Sequence, residues 1–130
     1  MLVSGGSLNR VASFVVAQII EEGALDTNLA ALRAAYRARV DALDAALTQH
    51  FGGIARWVKP QGGYFFWLEL PESVDVARLA AAARECRTGF LTGSWCSPSG
   101  GMQHCIRLSF AHYPPEMLQA GVVRLRRALP

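Results

Sequence analysis

His104-Cys105-Ile106-Arg107-Leu108-Ser109-Phe110-Ala111 is the stretch on which the fold turns. In a strand, successive side chains point to opposite faces. His104, Ile106, Leu108 and Phe110 then share one face, and Cys105, Arg107, Ser109 and Ala111 share the other. The first face suits a core. The second carries one long cation between two small side chains, so nothing bulky on its own strand blocks Arg107. A guanidinium presented in this way can offer a planar fork to a carboxylate or phosphate. A solvated Arg on an ordinary half-buried strand has the same local pattern, and the strand alone does not separate the two.

Working outward, a second alternating run lies at Tyr64 to Leu70, with Tyr64, Phe66, Leu68 and Leu70 on one face and Phe65, Trp67 and Glu69 on the other. Aromatic side chains on both faces predict a central strand covered on both sides. Pro60-Gln61-Gly62-Gly63 before it is a turn signal, and Ile54 to Val58 before that is a short strand candidate, so the two form an antiparallel hairpin. Gly89-Phe90-Leu91 is a further short strand or an extended segment. Thr92 to Gly101 is a loop rich in glycine and hydroxyl side chains.

Four helices complete the pattern. Arg10 to Glu22 is predicted helical and ends at Gly23; its apolar residues are not confined to one side, which is expected of a helix lying between other elements. A long helix is predicted from about Asn28 to Gln49, capped by Asp26 or Thr27. Leu29, Leu32, Tyr36, Val40, Leu43 and Leu47 form its stripe, and Arg37 and Asp41 make an i,i+4 pair. Asp75 caps a helix running to about Arg87. Pro114-Pro115-Glu116 starts the last helix, whose stripe is Leu118, Val122, Leu125 and Leu129; Gly121 in its interior hints at close approach to another element. The order predicts an α+β fold: a small antiparallel or mixed sheet with helices packed on one face, preceded by the long helix.

The totals bound the function. The chain has 130 residues, 52% of them hydrophobic and 18% charged, an apolar balance that implies a partner for some of its surface. No apolar run reaches membrane-span length, and no signal peptide is evident at Met1-Leu2-Val3-Ser4-Gly5-Gly6, so a cytoplasmic setting is expected. The net charge of +3 is scattered, without the basic stripe interleaved with aromatics that nucleic-acid binding uses. Cys86, Cys96 and Cys105 lack a Cys-x-x-Cys spacing and read as free thiols. His50, His104 and His112 lack metal-ligand spacing. No nucleophile elbow is present, and the glycine pairs read as turns rather than phosphate cradles. Of the 13 basic residues only Lys59 is a lysine, so lysine chemistry at any other position is excluded.

Taken together, five stretches resemble one family. They are Gly5-Gly6-x-x-Asn9; Leu32-Arg33-x-x-Tyr36-x-x-Arg39-x-Asp41-x-Leu43; Trp57-x-x-Pro60-x-Gly62-Gly63-Tyr64-Phe65-x-Trp67-Leu68-x-Leu70-Pro71; Arg107-Leu108-Ser109-Phe110-Ala111; and Pro115-Glu116 with Gly121-x-x-Arg124-Leu125. In this order they look like the C-terminal portion of class I/II aminotransferases, pyridoxal-phosphate enzymes of fold type I, in the 2-aminoadipate and kynurenine aminotransferase-like branch. The resemblance implies that residues 1–27 derive from the end of a large domain and residues 28–130 form the small domain. It implies that Arg107 forks onto the substrate α-carboxylate, with Asn9, Gly63 and Tyr64 as further cleft-lining candidates.

The family's Schiff-base lysine, pyridine-pairing Asp and phosphate cup belong to the large domain. None is expected on this chain, and Lys59 does not match the Schiff-base position. The family's Pro-Gly-x-x-Phe loop is altered here, as Thr92-Gly93-Ser94-Trp95-Cys96. Pyridoxal phosphate is therefore implied by the family but not expected to bind this chain alone. The expected partners are an amino-acid or keto-acid substrate in a complete enzyme and either a second copy or a large domain, with no nucleic acid and no membrane. The alternative is a non-catalytic module that binds a protein or a small carboxylate.

Overall fold

The computed structural model of the chain describes residues 9–129, so Gly5 and Gly6 of the first family stretch lie outside the described residues. The chain divides into two compact units between Ala35 and Tyr36.

In the first unit, α1 (Arg10–Glu21) begins at Asn9, whose side-chain oxygen accepts a hydrogen bond from the Ala12 amide at 3.2 Å. This is an N-cap, satisfying a donor that the first helical turn leaves open. None of its residues is buried, although it carries Val11, Phe14, Val15, Val16, Ile19 and Ile20. The chain breaks at Gly23, in the left-handed region at φ 70°, and re-enters a helix at once. α2 therefore runs Ala24–Phe51, starting earlier than the expected Asn28. Asp26 does not cap it from outside; it sits in the first turn, where its negative charge complements the helix dipole.

The second unit holds the sheet. Its strands are β1 (Arg56–Trp57), β2 (Phe65–Glu69), β3 (Leu91–Thr92) and β4 (Cys105–Ser109). They lie in the order β1-β2-β4-β3, and every neighbouring pair is antiparallel. β1 and β2 form the expected hairpin. The β2–β4 ladder extends past both strands' ends, through Leu70 N–H to His104 C=O at 2.9 Å and Phe110 N–H to Tyr64 C=O at 3.0 Å. This is why both alternating runs read longer in sequence than the strands assigned to them.

One core lies on one face of the sheet. Phe66, Leu68, Ile106, Leu108 and Phe110 meet Leu43, Leu47 and Phe51 of α2, Val76, Leu79 and Ala83 of α3 (Val76–Glu85), and Leu118, Val122 and Leu125 of α4 (Pro115–Ala128). The α3 cap is as expected: the Asp75 carboxylate accepts from the Ala77 and Arg78 amides at 2.9 and 3.0 Å. Gly121 accepts, through its carbonyl, a hydrogen bond from the Thr88 hydroxyl at 3.2 Å.

The other face corrects an expectation. β2 is central, but its second side is covered only in part: Phe65 is 43% exposed, Trp67 half-buried and Glu69 exposed. The aromatic content of that face misled because aromatic residues also occupy surfaces kept for contact. Part of this face is closed by a 3₁₀ turn, Gly93–Cys96, beneath which Cys105 is buried. A Cβ at position 93 would stand 2.8 Å from the Cys105 Cβ. Gly93→Ala should therefore destabilise the chain by about 1–3 kcal/mol, the usual result of overpacking. A chemical-denaturation midpoint equal to that of the parent chain would show that the turn shifts freely instead.

Candidate functional site

The open face is assembled by strand register. Phe65 lies opposite Ser109, Trp67 opposite Arg107, and Glu69 opposite Cys105, while Leu91 pairs with Arg107 from the other side. Since paired residues share a face, Arg107 is surrounded by Phe65, Trp67, Glu69 and Leu91. Its guanidinium carbon stands 4.0 Å from the centre of the Phe65 ring, a cation–π stack. Among the described residues no carboxylate lies within ion-pair distance of it, the ion pairs being those of Lys59.

Arg107 and Phe65 border a cleft of about 650 Å³ in the second unit. Its floor is apolar, with Leu108, Leu118, Val122 and Leu125. Its rim is basic, and among the described residues no Asp or Glu lines it. Apolar walls with a few convergent polar groups are the usual make-up of a small-molecule site, and the charge here selects an anion.

The other candidates fall elsewhere. Asn9 caps α1 in the first unit. Gly63, at φ 75°, makes the turn into β2, and Tyr64 packs edge-on against Tyr36 with ring centres 5.3 Å apart. Gly63 and Tyr64 adjoin Phe65 without lining the cleft. Phe65 itself was missed as a partner of Arg107. The signal was available: both residues sit outside the core stripes of two strands that had to pair.

Lys59 has a structural setting. Its ammonium lies 2.8 Å from Asp41 and 3.7 Å from Asp44, and the Trp57 indole donates to Asp44 at 2.9 Å. Asp41 thus pairs across to the hairpin, not with Arg37 as its helical spacing predicted. A compact ammonium between two carboxylates on one helix face outcompetes a solvated i,i+4 partner. The hydrogen bond that Lys59 donates to Asp41 raises the Lys59 pKa, against a smaller lowering by desolvation, and the charges of Asp41 and Asp44 add to the rise. The folded pKa is raised, so the stabilisation is complete below the ordinary value of 10.5 and is lost as pH climbs through the folded one. Lys59→Met should lower the unfolding midpoint near neutrality, and the gap to the parent chain should close in alkali above 10.5. A gap independent of pH would assign the effect to packing of the lysine stem.

Burial, followed by the charge of Glu69, pushes the Cys105 thiol up. Cys86, Cys96 and Cys105 are unpaired thiols. Among the described residues no cluster of three His, Cys, Asp or Glu could hold a metal, and no helix is long and apolar enough to cross a membrane.

Known proteins are similar to this chain in sequence and fold. The 2-aminoadipate transaminase of Thermus thermophilus is 33% identical over 115 residues, covering 88% of this chain and 29% of that protein. The crystal structure of α-aminoadipate aminotransferase from Thermus thermophilus, complexed with N-(5'-phosphopyridoxyl)-L-leucine, superposes with a TM-score of 0.80 at 33% identity, over 87% of this chain and 29% of that one. A multiple substrate aminotransferase from Thermococcus profundus superposes with a TM-score of 0.80 at 28% identity, over 86% of this chain and 28% of that one. The chain thus spans under a third of the length of these relatives. The family model for aminotransferase class I and II matches residues 2–125, and the chain belongs to that family.

Proposed function

We propose that this chain is the C-terminal domain of a pyridoxal-phosphate-dependent aminotransferase and that Arg107 binds the α-carboxylate of its amino-acid or keto-acid substrate. The observation that carries this is the Arg107 guanidinium itself: stacked on Phe65, unpaired by any described carboxylate, and at the border of an acid-free cleft. Similarity to the 2-aminoadipate transaminase of Thermus thermophilus supports an amino acid as substrate. Residues 1–27 go with a large domain and residues 28–130 form the small one. The exposed apolar side chains of α1 support a large domain or a second copy as the partner.

The residues of this chain do not fit the cofactor's lysine attachment. Lys59, the only lysine, is bridged to Asp41 and Asp44 and held protonated, and a protonated amine is not a nucleophile. It also stands outside the cleft that Arg107 borders. The chain alone should therefore not transaminate. Adding pyridoxal phosphate to it should produce no visible absorption band that depends on Lys59. A stable band abolished by Lys59→Ala would overturn this assignment. Transaminase activity restored by a separately supplied large domain, and lost again with Arg107→Ala, is the result expected of the domain reading.

A further inference from the structure

We propose that Phe65 is a positioning residue that holds the Arg107 guanidinium away from Glu69 and so keeps it available to a carboxylate ligand. The inference rests on the carboxylate-binding role of Arg107 and adds a second requirement to it.

The register places Arg107 directly opposite Trp67. Its two diagonal neighbours on the same face of β2 are Phe65, opposite Ser109, and Glu69, opposite Cys105. Diagonal cross-strand neighbours lie within reach of a long side chain, so Arg107 has a choice of two partners. Toward Glu69 it would form an ion pair. Toward Phe65 it forms a stack. The structure takes the second choice, with 4.0 Å between the guanidinium carbon and the ring centre. Glu69 is exposed and has neither a salt bridge nor a side-chain hydrogen bond with another described residue. Both charges are therefore free and near each other, yet unpaired.

The stack has a consequence for binding. The ring occupies one flat face of the guanidinium and leaves its N–H edges open. A fork binds a carboxylate through those edges, in the guanidinium plane. Pairing with Glu69 would fill the same edges with an internal carboxylate, and a ligand would first have to displace it. Exposed ion pairs are weak, so one aromatic contact of similar strength is enough to tip the choice. Trp67, between the two partners, lies directly opposite Arg107 and is half-buried.

The test uses pyruvate as the probe and the Arg107 side-chain Nε–Hε signal of the labelled chain as the readout. In the free chain that signal should be shifted upfield by the ring current of Phe65, and should move to an ordinary position in Phe65→Leu. An ordinary position in the parent chain overturns the stack. Pyruvate affinity should fall about fivefold in Phe65→Leu, the scale of one exposed cation–π contact. It should hold in Phe65→Tyr, which keeps the ring. Phe65→Leu combined with Glu69→Gln should bind nearly as tightly as the parent, because the competing carboxylate is gone. A Phe65→Leu chain that binds like the parent, or a double variant as weak as Phe65→Leu, refutes the positioning role. Arg107→Ala separates the two claims: pyruvate binding that survives it, or no pyruvate response in the parent chain, sinks the carboxylate role whatever Phe65 does.

Discussion

Arg107→Ala is expected to weaken amino-acid binding by about 2–3 kcal/mol in the assembled enzyme, since hydrogen bonds to a charged group contribute on that scale. The effect should appear for every substrate that carries an α-carboxylate, whatever its side chain. Arg107→Lys should recover only part of the loss. It restores the charge but not the two parallel donors of the fork. Far-UV circular dichroism should be unchanged in both variants, because the guanidinium lies on the open face and outside the core. Isothermal titration with the amino donor, with a large domain supplied, reads the affinity directly. Substrate affinity equal to that of the parent would remove Arg107 from the site.

Phe66→Ala should produce the largest loss of stability, about 3–5 kcal/mol, the range for deleting a buried aromatic. Phe66 is fully buried at the centre of the sheet, and its ring meets Phe110 edge-on at 6.0 Å between centres. For a chain of this size such a loss lowers the melting temperature by roughly 10 °C or more. The neighbouring residue makes the contrast. Phe65→Ala removes a ring of the same size from the exposed face, and surface changes usually stay within about 0.5 kcal/mol; the stack on Arg107 can add up to about 1 kcal/mol. Thermal unfolding of the two variants side by side tests the alternation itself. Equal losses would mean that the open face is covered in solution.

Much of the architecture was legible because its signals are local. Alternation picked out the core faces of β2 and β4. The stripe Leu118, Val122, Leu125 and Leu129 is buried as read. Asp75 caps α3 because a short carboxylate before an apolar-periodic run has amide donors within reach. Misreadings came where a local signal had a competitor elsewhere in the chain. Asp26 and Thr27 looked like caps, but the left-handed turn at Gly23 lets the helix begin before them. Asp41 looked committed to Arg37 until the hairpin brought Lys59 to it. The outer face of β2 looked covered, yet Phe65 and Glu69 on it are exposed.

By itself the sequence determined that Arg107 sits between two small side chains on the face away from the core, because the period of two is a property of one strand. It also determined that the chain's single lysine stands far along the sequence from that strand. Only the tertiary structure decided what the guanidinium meets. That depends on the register of β2 against β4, which one residue of slip would have changed, exchanging the faces. The observed register sets Phe65 and Glu69 at the two diagonals of Arg107, and the guanidinium lies on the ring.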